Sequence, residues 1–321
     1  MDFSTLAVDT PATAWTGRND GEAPAHRRWW QAVDTGTPAA LGPAPDASQP
    51  RPVALLGFCS DAGVARNRGR TGAATGPAAI RSALGSLAFH GTRSIIDAGD
   101  VVVSGDCLED GQARAGAALA CMLDAGHLTV VLGGGHESAY ASYLGVAATA
   151  SVASGARLGV LNLDAHFDLR EAPTPSSGTP FLQMAHAEAA AGRKLNYAVV
   201  GISEQNNTRA LFETAHDLEV KYLLDEDCTA ERTAEFVSSF LETVGIVYLT
   251  IDLDVLPAAT APGVSAPAAY GVPLPVIVAV CRQVAASGKL FHADVAELNP
   301  AYDIDNRTAK VAARLIDTLL R

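Results

Sequence analysis

The chain has 321 residues, with 23 Lys+Arg against 35 Asp+Glu for a net charge of −12, and 48% of it is hydrophobic. A polypeptide of that length and apolar content buries a large core and is not disordered, while an acidic balance without a long basic run leaves no electrostatic footprint for nucleic acid. The 5 cysteines include no CxxC pair, so they read as free thiols in a reducing, cytoplasmic setting. No apolar stretch reaches the roughly 18 residues of a membrane span, and Asp2 and Asp9 stand where a secretory signal needs a basic start and an apolar run.

Residues 1–52 are rich in Ala, Pro, Asp and Thr and have few periodic apolar positions, which predicts an arm packing on a core, with Trp29 and Trp30 as its anchors. From residue 53 onward short apolar runs alternate with Ala-rich helical text. Strands are expected at 53–58, 129–132, 158–163, 198–201, 247–251 and 290–293, with weaker candidates at 94–96 and 220–223. Helices are expected at 77–89, 109–125, 138–150, 179–191, 225–244, 274–286 and 305–320. Alternation at this pitch predicts a parallel sheet with crossover helices, and strands that are apolar throughout predict helices on both faces. The expectation is a single catalytic domain at 53–321, a three-layer α/β/α fold with a mostly parallel sheet of about eight strands.

Ligands of open parallel sheets sit outside the carboxyl ends of the strands. Three of those ends are chemically loaded. The run 158–163 stops at Asp164-Ala165-His166-Phe167-Asp168, the run 247–251 at Asp252-Leu253-Asp254, and the run 129–132 at Gly133-Gly134-Gly135-His136-Glu137. Period-two alternation puts Asp164, His166 and Asp168 on one side, and Asp252 with Asp254 likewise. Singly each is an ordinary cap or turn residue; together with His136 they make a set of carboxylates and imidazoles without a thiolate. Carboxylates 4 Å apart repel by about 4 kcal/mol per pair at an effective dielectric of about 20. Two divalent cations balance the charges of Asp164, Asp168, Asp252 and Asp254, so a dinuclear centre is the simplest neutralisation. Nitrogen ligands disfavour Ca²⁺ and Mg²⁺, and the missing thiolates disfavour structural zinc. Two Mn²⁺ per chain are the first choice, with Fe²⁺, Co²⁺, Ni²⁺ or Zn²⁺ compatible. The glycine run lacks the Lys-Ser/Thr of a phosphate loop and is read as letting the backbone approach the metals.

These stretches are similar to the metal-binding signatures of the ureohydrolases, the family of arginase, agmatinase and formimidoylglutamase, and the resemblance runs from about Val53 to the C-terminus. It implies an arginase-like fold and a homo-oligomer. It also implies that His136 and Asp168 complete one metal's shell and His166 and Asp254 the other's, with Asp164 and Asp252 bridging. A metal-bridging hydroxide would then attack a small amidine substrate. Within the family, Trp15-Thr16-Gly17-Arg18 with Arg28-Trp29-Trp30-Gln31, Arg66-Asn67-Arg68-Gly69-Arg70 within 61–70, and Ser176-Ser177-Gly178-Thr179-Pro180-Phe181 resemble the branch that splits N-formimidoyl-L-glutamate to L-glutamate and formamide in histidine degradation.

Arg170 stands where arginases carry a small amide residue. A guanidinium there suits a dicarboxylic substrate, since Arg pairs bidentately with carboxylate, and it repels arginine or agmatine. Ser177, Asn67 and Arg66 are further candidates for substrate contact, although Arg66, Asn67 and Arg70 serve equally well as ties for their loop. Glu297 matches the family's substrate-facing Glu and is expected to pair with the amidinium, while Asp168 is expected to carry a proton to the leaving amine. Phe181 occupies the place of an arginase His, with His186 one helical turn on, which weighs against an arginase. Agmatinase or another guanidino-acid hydrolase is the alternative, and a non-catalytic metal-bound scaffold a further one. Cys59 is expected to be a small core residue and no nucleophile.

Overall fold

Runs such as Val-Ala-Leu-Leu at the start of the second strand cannot be solvated on either side, so they form where two helical layers can cover them. A computed structural model describes residues 8–44 and 50–321. Its sheet contains β1 (Val33–Thr35), β2 (Val53–Cys59), β3 (Ile95–Val102), β4 (Leu128–Leu132), β5 (Leu158–Leu163), β6 (Asn196–Ile202), β7 (Lys221–Leu224), β8 (Ile246–Asp252) and β9 (Leu290–Ala296). The 9 strands run in the order β1-β3-β2-β4-β9-β8-β5-β6-β7, and every pairing is parallel.

The helices are α1 (Ala62–Arg66), α2 (Gly76–Gly85), α3 (Leu108–Asp124), α4 (Ser138–Ala147), α5 (Ala150–Ala153), α6 (Pro180–Ala190), α7 (Arg209–Asp217), α8 (Ala230–Thr243), α9 (Leu274–Ala286) and α10 (Arg307–Leu320). Alternate strand residues face opposite layers. Leu55, Val130, Leu161, Leu249 and Val295 pack with Ile80, Val237, Ile277 and Leu315 of α2, α8, α9 and α10. Phe58, Val131, Val160 and Tyr248 face the other way, onto side chains of α3, α4 and α6. The three-layer α/β/α fold is therefore present, with a wholly parallel sheet one strand larger than expected. No described helix is long and apolar enough to cross a membrane.

Three differences from the sequence expectation have physical causes. β1 lies inside the expected arm and only Val33 of its three residues is buried, so it carried no apolar run to read. β3 continues from the candidate at 94–96 to Val102, through Asp97 and Asp100. Those carboxylates are accommodated because Arg81 of α2 reaches both, at 2.8 Å and 2.6 Å. α7 went unread because Leu211 and Ala215 are its only buried residues. In the arm, the Trp15 indole donates to Asp97 at 2.8 Å and the Trp29 indole to Asp317 at 3.0 Å. Residues 1–7 and 45–49 of the expected arm lie outside the described residues.

Candidate metal centre

β4, β9, β8 and β5 are consecutive in the middle of the sheet, although the chain visits them far apart in sequence. Their carboxyl ends bring His136, Glu297, Asp252 with Asp254, and Asp164 with His166 and Asp168 to one cavity of about 310 Å³, which all but the fully buried Asp164 line. The same local device shapes two of these ends. Asp164 Oδ1 accepts the N–H of His166 at 2.6 Å, and Asp252 Oδ1 accepts the N–H of Asp254 at 2.8 Å. Each carboxylate thus pins the backbone two residues on and turns its Oδ2 toward His136 Nδ1, 3.1 Å away for Asp164 and 3.2 Å for Asp252. Asp168 Oδ2 lies 2.9 Å from the same nitrogen. His166 Nδ1 lies 3.0 Å from Asp254 Oδ2 and 3.5 Å from Asp164 Oδ1.

The six residues converge, but not along an extended strand as alternation assumed. β5 ends at Leu163, and Asp168 has a left-handed backbone with φ 48°, a conformation Asp tolerates better than most residues. Turns made by the carboxylates themselves set the geometry. The glycine run also has a packing purpose. A Cβ on Gly134 would lie 1.9 Å from the Ser60 carbonyl oxygen, so the glycine lets the β4 exit pass against the end of β2.

His136 is oriented from behind. Its Nε2 is 3.0 Å from Thr250 Oγ1, which donates to Asp294 at 2.6 Å, so Thr250 can only accept from the ring and the proton belongs on Nε2. Nδ1, which shares a proton with the carboxylates in the metal-free chain, is then the nitrogen that would be freed as a metal ligand. Asn162 steadies Asp164 in the same manner, donating to its Oδ2 at 2.9 Å and to the Tyr197 hydroxyl at 3.1 Å. Thr250, Asp294 and Asn162 were not singled out from sequence, yet each is a polar residue inside an otherwise apolar strand, and that was the available signal.

The electrostatics show a site short of positive charge. No Lys or Arg among the described residues forms an ion pair with the four aspartates. Burial, reinforced by the charges of Asp254 and Asp164, pushes Asp252 well above the ordinary carboxylate range. Burial opposes ionisation of His136, but hydrogen bonds to Asp164, Asp168 and Asp252 hold its pKa well above the usual histidine value. Asp164 is equally buried, yet His136 and His166 keep its pKa low. Two groups of donors lie within 4.8 Å of one another, His136 with Asp164 and Asp168, and Asp164 with His166 and Asp254. Hard carboxylate oxygens and imidazole nitrogens at this spacing fit divalent first-row metals.

The remaining candidates divide. Arg170, Ser177 and Asn67 line the cavity, and Arg170 Nε is buried without a hydrogen-bond partner among the described residues. Glu297 Oε1 accepts the His136 N–H at 2.8 Å while its Oε2 is buried and unpartnered; burial, then the charge of Glu137, pushes this carboxyl up to about 8. Arg66 is corrected: it is outside the cavity lining, and its guanidinium is held by Asp106 at 2.6 Å, Glu109 at 2.7 Å and the Pro175 carbonyl at 2.9 Å. Arg70 does line the cavity, but it is tied to the Ser265 carbonyl at 3.0 Å and stacks 4.2 Å from the Tyr302 ring. Phe181 is a wall behind the centre, stacked on Tyr197 at 4.4 Å and edge-on to His136 at 5.4 Å. His186 is exposed and does not line the cavity.

A family model described as the arginase family matches residues 51–321, and the chain belongs to that family. The formimidoylglutamase of Rhodococcus jostii is 56% identical over 313 residues, covering 97% of this chain and 95% of its own. That of Nocardia farcinica is 55% identical over 310 residues, with 97% and 96% covered. The crystal structure of Trypanosoma cruzi formiminoglutamase with Mn²⁺ shares the fold at a TM-score of 0.76 and 23% identity, covering 89% of this chain and 98% of that one.

Proposed function

We propose that the protein is a dinuclear-metal formimidoylglutamase, which hydrolyses the C–N bond of N-formimidoyl-L-glutamate to give L-glutamate and formamide. Near-full-length relatives bearing that name at 55% and 56% identity support the reading. The observation that carries the substrate class is Arg170. A guanidinium with a buried, unpartnered Nε at the edge of an acidic cavity costs free energy unless a carboxylate completes it. Formimidoylglutamate supplies two carboxylates, whereas arginine and guanidinobutyrate supply one and agmatine none.

The metals would be two Mn²⁺, held by His136, Asp164 and Asp168 on one side and by Asp164, His166 and Asp254 on the other, with Asp252 bridging. Divalent cations at such a centre lower the pKa of water and so make a nucleophile available near neutral pH. Every other role falls to the chain. Glu297 gives up its proton as the cationic amidinium approaches, and its Oε2 then accepts an N–H of the amidinium and orients its carbon toward the cluster. Arg170, Ser177 and Asn67 hold the carboxylate end. Asp168, the aspartate in the strained turn, carries a proton to the departing amine. Phe181 keeps the far side of His136 dry. Residues 53–321 form the catalytic unit and 1–52 the arm. The five cysteines are free thiols, which supports a cytoplasmic enzyme, and the exposed Tyr270, Tyr302 and Ile304 are apolar surface that a homo-oligomer would cover.

A parallel assay of Mn²⁺-loaded protein on formimidoylglutamate, arginine, agmatine and guanidinobutyrate tests the reading. Formamide and glutamate are expected from the first, with urea from the others at background. Comparable or faster turnover of a guanidine would overturn it.

A further inference from the structure

Asn207 follows β6, outside every motif of the metal centre, and its side chain is buried. Its amide spends all of its strong hydrogen bonds on main chain. Oδ1 accepts the Phe167 N–H at 3.1 Å, and Nδ2 donates to the carbonyls of Ala165 at 2.9 Å and Ser203 at 2.8 Å. Ala165 and Phe167 flank His166, whose own N–H is taken by Asp164.

The position explains the need. The β5–β6 pairing ends at Leu163 opposite Val200, with two further main-chain bonds, from the Asp164 N–H to the Val200 carbonyl and from the Ser203 N–H to the Ala165 carbonyl, both at 3.0 Å. Beyond it the loop must present an imidazole without a strand beside it. A primary amide offers two N–H donors and a carbonyl acceptor, so Asn207 can take over from peptide groups and continue the ladder across His166. Phe167 is fixed from its other side, edge-on to Phe212 at 5.0 Å and Tyr222 at 5.1 Å. Among the described residues the His166 ring itself has Asp254 and Asp164 as its ion-pair partners. Its direction is therefore inherited from the backbone that Asn207 holds, whereas His136 is oriented separately through Thr250 and Asp294.

We propose that Asn207 is a positioning residue for one half of the metal centre: it holds the peptides on either side of His166, and the cation affinity of the group made by Asp164, His166 and Asp254 depends on it, while the group containing His136 does not. The proposal rests on reading the cluster as a dinuclear cation site.

The test is titration of the metal-free full-length protein with Mn²⁺, followed by electron paramagnetic resonance and metal analysis, for wild type, Asn207→Ala and Asn207→Asp. The wild type is expected to bind one cation per ligand group and to show an exchange-coupled spectrum. Asn207→Ala should keep one tight cation, weaken the other by about 10- to 100-fold, the usual effect of removing an outer partner of a ligand, and show the spectrum of an isolated ion. Asn207→Asp places a carboxylate oxygen against two carbonyls and should do the same, and it carries the test if the alanine variant does not fold. Asn196→Ala is the control, because Asn196 Nδ2 donates to the Leu158 carbonyl at 3.0 Å at the opposite end of β5. It should lower the melting temperature and keep both cations. Retention of both cations with wild-type affinity and a coupled spectrum in the Asn207 variants would overturn the proposal, and so would equal weakening of both. A wild type that binds fewer than two cations would overturn the dinuclear reading and this inference with it.

Discussion

Two groups of buried carboxylates in this molecule are built on opposite principles. Beneath the arm, Asp97 receives the Arg81 guanidinium at 2.8 Å and the Trp15 indole at 2.8 Å, and Asp100 takes the other face of Arg81 at 2.6 Å. Burial tends to strip Arg81 of its proton, but those two carboxylates hold its pKa above the ordinary value. The adjoining cavity, also about 310 Å³, has its buried charges satisfied by the chain alone. At the carboxyl ends of β4, β9, β8 and β5, four aspartates pair with two imidazoles and, among the described residues, with no guanidinium. The first group is complete and structural. The second has no fixed cation of its own and meets its excess negative charge by protonation or by a bound cation, which is why we propose it as a metal site.

The comparison is broken most severely by neutralising an aspartate of the proposed metal site. Asp252→Asn or Asp164→Asn should reduce hydrolysis to the assay background and release cation in the same step, as turnover and metal analysis will show; full metal content in an inactive variant would separate the two roles. The corresponding change beneath the arm should do the reverse. Asp97→Asn leaves Arg81 and Trp15 without their main partner and should cost about 3–5 kcal/mol of stability in urea denaturation, with metal content and kcat unchanged.

Smaller effects sharpen the contrast. Arg170→Ala should raise KM for formimidoylglutamate by about 10- to 100-fold, the worth of a hydrogen bond to a charged group, and leave kcat nearly unchanged. An unaltered KM would remove the argument for an acidic substrate. A pH effect comes from His292 on β9, which burial keeps neutral with a pKa lowered to about 3. The unfolded chain protonates this ring near its ordinary value of 6.5 and the folded chain does not. Its contribution is therefore whole above that pH and shrinks as pH falls toward 3, by at most about 1.4 kcal/mol per unit. His292→Asn should flatten the decline of the urea midpoint between pH 6.5 and 4.5.

How much was legible from sequence follows the same division. The central strands announced themselves because their apolar runs answer to burial on both faces, and Asp164, His166, Asp168, Asp252, Asp254 and His136 stood out as polar interruptions at their ends. β3 was only half legible, since Asp97 and Asp100 look like loop residues until Arg81 is brought to them by tertiary packing. β1 and α7 bury too few residues to leave a pattern. In the site, Arg66 and Arg170 are alike in sequence. Only the fold shows that Arg66 is already held by Asp106 and Glu109 while Arg170 Nε has no hydrogen-bond partner among the described residues. Asn207 was silent because its work is done on peptide groups far along the chain, and no spacing rule connects it to His166.

The central claim is that the aspartate cluster is a dinuclear cation site. Its most direct measurement is elemental analysis of protein loaded with Mn²⁺ and freed of excess metal by gel filtration. One manganese for each of the two ligand groups is the predicted result; a chain that retains one or none would contradict the account.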